Sequence, residues 1–289
     1  MRSLLCSAFI LFAPPVSAHE SFMPDNHLDL FDSFDFTAGG LNEAQFNAVI
    51  DRAEAVYKPI FSPLGGNLKV ERRWKDRTVN AYANQNGSDW EVHMFGGLAR
   101  RPEVTEDGFS LVLGHECGHQ IGGYPFVQDW AANEGQSDMH AAGAYAYKLF
   151  GVNLELAAKA ATDLPPEMKA KCDKAYKGTY DREICYRTLV AGKSLADLLA
   201  ALGSSKVAFN TPDTKVVDVT DNEHPKAQCR LDTYVASALC GNKNWDYGLI
   251  PGKALDHESV EAQNEAYAHS CPEGVGSRPK CWFAELSSN

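Results

Sequence analysis

Beyond its first eighteen residues this sequence has no apolar run long enough to form a membrane helix. It also has no C-x-x-C pair, which weakens any reading of its cysteines as a structural zinc site. No internal repeat and no low-complexity linker is present, so a solenoid or a disordered chain is not expected. Positive charge is in deficit: 27 Lys and Arg face 38 Asp and Glu, a net charge of −11. Such a chain is a poor non-specific partner for nucleic acid or for anionic lipid. What remains is ordinary globular composition, 44 % hydrophobic and 22 % charged over 289 residues. That length suffices for one large domain or two small ones.

The segment 1–18 reads MRSLLCSAFILFAPPVSA. Arg2 provides a positive start, Leu4 to Phe12 an apolar stretch, and Val16-Ser17-Ala18 a small-residue cleavage site. This is the pattern of a secretory signal peptide, cut near Ala18. Cys6 lies near the start of the apolar run rather than at its end, which argues against a lipid anchor. The expectation is an exported protein, periplasmic or extracellular, without stable membrane insertion.

Export alters the reading of the cysteines. Without Cys6 seven remain: Cys117, Cys172, Cys185, Cys229, Cys240, Cys271 and Cys281. In an oxidising compartment the last six imply three disulfides and leave Cys117 free. Six cysteines allow fifteen connectivities. Their spacing favours the local pairs 172–185, 229–240 and 271–281.

Residues 19–40 are polar with scattered aromatics and read as an arm. Leu41 to Phe61 has the spacing of an amphipathic helix, through Phe46, Val49, Ile50, Ala53, Val56 and Tyr57. Strands are expected over Leu68–Trp74, Thr78–Asn84 and Trp90–Phe95, the last two joined around Asn86-Gly87. Helices follow over Gly108–Gln120 and Ala131–Leu149, then Pro165–Tyr176, Asp181–Leu202 and a helix opening at Pro225. Residues 241–289 read as irregular and held by cysteines. The expected class is α+β: a small antiparallel or mixed sheet with two adjoining helices over 41–150, and a mostly helical, disulfide-bearing part over 151–289 packed on it.

Residues 115–119 read His-Glu-Cys-Gly-His. Helical positions four apart share a face, so His115 and His119 can reach one metal ion. Glu116 is displaced around the helix, where it can act on a water at that ion. Cys117 lies roughly 200° from His115 and faces away. Chance alone yields the H-E-x-x-H pattern in about one chain in a hundred. Its setting behind Phe109, Leu111, Val112 and Leu113 therefore matters, because imidazoles in a buried helix are costly unless something coordinates them. A third ligand is offered by Asn-Glu-Gly-Gln-Ser-Asp at 133–138. Glu134 and Asp138 share a helix face, so Glu134 can bind the metal while Asp138 orients a ligand histidine. His140 points off that face and is read as structural.

Together these residues resemble the gluzincin zinc metallopeptidases. Asn-Glu-Gly-Gln-Ser-Asp is similar to the Asn-Glu-x-x-Ser-Asp of thermolysin-like enzymes. Val79-Asn80-Ala81-Tyr82 resembles a strand shared by thermolysin-like and CAAX-prenyl-endopeptidase-like enzymes, and Trp90 to Leu98 resembles the strand before the active helix in the latter. The likeness covers roughly 41–150. The interval from His119 to Glu134 is shorter than is usual in either group, and the half after residue 150 matches neither. The resemblance implies a zincin-like core of sheet, active-site helix and glutamate helix, with Zn2+ held by His115, His119 and Glu134. It implies that Glu116 is the general base and that the Asn80–Ala81 strand is a sheet edge binding an extended peptide or protein substrate. Such enzymes also use a His or Tyr from the C-terminal half at the oxyanion. Candidates here are His224, with Asp221 to orient it, and Tyr234 or Arg230. The expected activity is peptide-bond hydrolysis. Alternatives are an exported zinc-binding scaffold or chaperone-like protein with little hydrolytic activity, and a hydrolase of another amide such as one in the cell wall.

Overall fold

The computed structural model describes residues 20–28, 40–150, 155–203, 205–242 and 244–287. The expected signal peptide, residues 1–18, lies outside them, as does most of the arm.

Helix α1 (Glu43–Phe61) opens where a cap is written into the sequence. The Asn42 side chain accepts from the Gln45 amide (2.9 Å), and the Gln45 side chain accepts from the Asn42 amide (3.0 Å). This reciprocal pair satisfies two amides that the first turn leaves without partners. The buried stripe of α1 is Phe46, Val49, Ile50, Ala53, Tyr57 and Ile60, the face its spacing predicts.

Strands β2 (Asn67–Arg73), β3 (Ala81–Asn86) and β4 (Asp89–Phe95) follow α1. β3 and β4 form an antiparallel hairpin, and Gly87 at φ 59° supplies the left-handed position of its turn. β2 lies parallel to β4, with Leu68 opposite Trp90 and Val70 opposite Val92, so the sheet is mixed. Its fourth member is β1 (Glu20–Ser21), antiparallel to β3, and the strand order is β1-β3-β4-β2. Part of the expected arm is therefore a strand. Two residues carry no alternation, so periodicity could not announce it.

After the short α2 (Gly96–Ala99), the long α3 (Glu106–Ile121) crosses the sheet. The Thr105 hydroxyl caps it by accepting from the Gly108 amide (3.0 Å), and Glu106 and Asp107 favour its positive end. Every residue from Gly108 to Ile121 is buried. Gln120 ties the helix down: its Nε2 donates to the carbonyls of Asn84 on β3 (3.2 Å) and Glu91 on β4 (3.0 Å).

Helix α4 (Glu134–His140) starts three residues later than the expected Ala131. Ala132 is extended, bridged to Phe126, and its amide donates to the His119 carbonyl (2.8 Å). The Asn133 side chain then caps α4 by accepting from the Gln136 amide (2.9 Å). A widened π turn, Ala141–Tyr145, separates α4 from α5 (Ala146–Phe150). Close packing of α3 on α4 depends on Gly118, where a Cβ would fall 2.9 Å from Ser137 backbone atoms.

The remainder is mostly helical: α6 (Glu155–Asp163), α7 (Pro166–Ala175), α8 (Thr179–Gly203), α9 (Ala227–Leu239) and α10 (Val260–Ala268). α8 packs on α3, and Arg187 of α8 forms a two-pronged ion pair with Asp107 (2.8 and 2.6 Å). α9 packs against both α8 and α4. It begins at Ala227 rather than Pro225, and α10 lies inside the stretch expected to be irregular. No helix among the described residues is long and apolar enough to cross a membrane.

Among the described residues three disulfides are present, Cys172–Cys185, Cys229–Cys281 and Cys240–Cys271, and Cys117 is free and buried. The pair 172–185 is the expected one; the pairs 229–240 and 271–281 are not formed. Cys229 lies in α9 and Cys240 caps its C-terminus. Eleven helical residues separate their Cα atoms by about 16 Å. A disulfide spans less than about 7 Å.

Candidate metal centre

The H-E-x-x-H segment sits in the middle of α3, and both of its imidazoles are fully buried. Their Nε2 atoms face one another at 3.0 Å. Glu134, at the first turn of α4, completes the group: its carboxylate lies 3.3 Å from His115 Nε2 and 3.5 Å from His119 Nε2. His115, His119 and Glu134 thus place three ligand atoms within 4.8 Å of one another. Two of these residues come from one helix face. The third arrives because Gly118 lets α4 approach.

The opposite ring nitrogens are committed. His115 Nδ1 meets Asp138 Oδ1 at 2.8 Å. His119 Nδ1 meets the Ala132 carbonyl at 2.8 Å and the Ser137 hydroxyl at 3.0 Å. A carbonyl can only accept, and an ionised carboxylate likewise. Each ring therefore carries a proton on Nδ1 and turns Nε2 toward Glu134. Two imidazole nitrogens and a carboxylate converge in a buried region. This is the donor set that a divalent cation of the zinc type takes.

With no cation bound the electrostatics put one further proton on the pair, on His115, and a bound cation would displace it. Burial opposes charge on Glu134, yet His115 and His119 hold its carboxyl down to about 2. Burial likewise opposes charge on Asp138, and Arg230 with His115 brings it to about 2. On His115 burial is overcome by Glu134 and Asp138, which lift it to about 9. Burial and the charge of His115 push His119 down to about 4. Two imidazoles so close cannot both hold a proton on Nε2. Glu116 behaves differently from Glu134. Burial drives its carboxyl well above the usual range; its two oxygens, like those of Glu134, have no hydrogen-bond partner. A buried carboxyl without partners is costly and points to an ion or water at the site.

Comparison with family models, curated proteins and solved structures finds no match. The site is therefore read on its own geometry.

The other candidate residues are distributed unevenly. Tyr234 does not reach the group of three. Its hydroxyl donates to Asp138 Oδ1 (2.9 Å), on the Nδ1 side of His115 and away from Nε2. Arg230 is committed to the same carboxylate, with Nε on Oδ2 (2.6 Å) and Nη2 on Oδ1 (2.7 Å). These two side chains are one turn apart on α9, so they share a face and together hold Asp138. Sequence reading offered them as alternatives for an oxyanion role; their common spacing was the available sign of a common partner. Asp221, expected to orient His224, pairs with Lys215 (2.7 Å) and accepts from the Glu223 amide (3.2 Å). His224 itself is at the rim, a quarter exposed, with Nε2 3.5 Å from Glu134 Oε1.

Asn80 and Ala81, expected to meet a substrate backbone, already hold one. Asn80 Oδ1 accepts from the Met23 amide and its Nδ2 donates to the Met23 carbonyl, both at 2.9 Å. The Ala81 carbonyl accepts from the Phe22 amide at 3.1 Å. His140 is outside the group of three. It lies beside a cavity lined by Met139, Trp245, Tyr247 and His269, and its Nε2 has no partner.

Proposed function

We propose that this chain is a zinc-dependent peptidase of the zincin type, exported to an oxidising compartment where its three disulfides form. The observation that carries the reading is the convergence of His115 Nε2, His119 Nε2 and Glu134, with Glu116 next in sequence and free of any other partner. A structural site has no use for that extra carboxyl.

A zinc ion bound there would supply Lewis acidity and a water made acidic enough to attack at neutral pH. The chain supplies the rest. Asp138 accepts the Nδ1 proton of His115 and fixes the ring, and the Ala132 carbonyl does the same for His119. Burial raises the Glu116 carboxyl; a cation held beside it would favour its carboxylate form, which would take a proton from the attacking water and return it to the leaving amine. His224, whose Nε2 meets the Ser21 carbonyl at the rim, would donate from that nitrogen to a substrate carbonyl taking its place. The β3 edge, held here by Glu20–Ser21, would pair with the peptide as an added strand in place of that segment.

A second reading, an exported metal-binding scaffold, draws on the complete burial of both histidines. Glu116→Gln separates the two. The peptidase account expects zinc content and fold to be retained while hydrolysis of a peptide library falls about 10²–10⁴-fold. Hydrolysis by the wild-type chain that persists in excess chelator, or that is unchanged in Glu116→Gln, would remove it.

A further inference from the structure

The segment 20–23 lies on the β3 edge, the edge that the peptidase reading assigns to substrate, and this inference rests on that reading. β4 covers the other side of β3, so no second edge of β3 is open to an incoming strand. The contacts of the segment are mainly to its backbone. The Ser21 carbonyl meets His224 Nε2 at 2.8 Å. The Phe22 carbonyl accepts from Arg230 Nη1, and the Phe22 amide donates to the Ala81 carbonyl. Asn80 clamps both the amide and the carbonyl of Met23. Among side chains, Gln128 donates to the Glu20 carboxylate and the Ser21 hydroxyl lies 3.4 Å from His224. The Phe22 ring stands edge-on to the His115 imidazole, 5.3 Å between centroids at 87°, and beneath the Arg230 guanidinium at 4.4 Å.

A groove that grips main-chain atoms does not distinguish one extended peptide from another by those contacts. It discriminates through the two apolar side chains, Phe22 and Met23, which are fully buried. We propose that Glu20–Met23 is a resident occupant of the peptide groove, and that an extended peptide with a bulky apolar side chain at the Phe22 position exchanges with it to reach His115, His119 and Glu134. The free groove is then a minor state, and the apparent affinity for an outside peptide is reduced by the fraction of chains in which the resident strand is released.

The test uses the full chain and a fluorescent synthetic peptide with the sequence of residues 19–26, His-Glu-Ser-Phe-Met-Pro-Asp-Asn. Binding is followed by anisotropy, with and without added zinc. Phe22→Ser with Met23→Ser weakens the resident strand and leaves the groove intact. That chain is expected to bind the peptide at least tenfold more tightly than wild type, with faster amide exchange over residues 81–83. A peptide with the same two serines is expected not to bind. A second variant works in the opposite direction. Ser21 and Tyr82 are directly opposed across β1 and β3. An oxidised Ser21→Cys, Tyr82→Cys pair locks the strand in place and is expected to reduce peptide binding at least tenfold below wild type. Equal affinities in the wild-type and serine chains, or full binding by the locked chain, would overturn the proposal; if the serine chain does not fold, the locked chain decides. Absence of zinc binding would remove the peptidase reading alone, because peptide exchange is measured without the metal.

Discussion

Around His115, His119 and Glu134 the chain buries charged groups and holds them with hydrogen bonds, whereas after residue 164 it holds its helices with disulfides. The two regions meet at α9. Cys229 is stapled to Cys281, and the next residue, Arg230, grips Asp138, which fixes His115. The cross-linked region thus reaches the site through α9, where Arg230 and Tyr234 both hold Asp138. A buried ion pair contributes little net stability relative to an apolar pair, but breaking it leaves the partner charge stranded. The C-terminal half is therefore not an appendage to the site: it supplies the donors that keep Asp138 ionised.

That comparison can be broken at its joint. Arg230→Ala leaves Asp138 buried with its main cation removed, and is expected to cost about 3–5 kcal/mol in denaturant unfolding. Zinc affinity should fall with it. A loss below about 1 kcal/mol would show that Asp138 does not depend on α9.

The cross-links come next in size. The bridges Cys229–Cys281 and Cys172–Cys185 close 52 and 13 residues respectively. Replacing both cysteines of a bridge by alanine is expected to cost about 4 kcal/mol for the longer loop and about 3 kcal/mol for the shorter. The sharper readout is zinc affinity, which should fall on loss of Cys229–Cys281 and stay constant on loss of Cys172–Cys185. Equal effects would disconnect the staple from the site.

The smallest effect concerns pH. Burial holds His140 down to about 4, from an ordinary value of 6.5. Between those values the unfolded chain binds the proton and the folded chain does not. The contribution of His140 is therefore complete above pH 6.5 and is lost as pH falls toward 4. His140→Gln should flatten that acid limb by about 1–3 kcal/mol in thermal or denaturant titrations. Parallel curves for the two proteins would contradict the assignment.

The sequence is most legible where spacing alone sets geometry. Helical spacing puts His115 and His119 on one face, and Glu134 and Asp138 on one face of the next helix. The α1 stripe was readable for the same reason. Contacts between residues far apart in the chain were not. Arg230 and Tyr234 reach Asp138 across more than ninety residues, and nothing local marks that meeting. β1 is too short to show a period. The disulfide pairing is a different case: the helix read from Pro225 onward already placed Cys229 and Cys240 at opposite ends of one rod, so the 229–240 pair could have been rejected from the sequence.

The central claim is that His115, His119 and Glu134 together hold one cation. Zinc content of the purified chain, compared with Glu134→Gln and Glu116→Gln, tests it most directly. The account predicts one zinc per chain in the wild type and in Glu116→Gln, and a loss of at least tenfold in zinc affinity in Glu134→Gln. Equal zinc content and affinity in all three proteins, or none in the wild type, would contradict it.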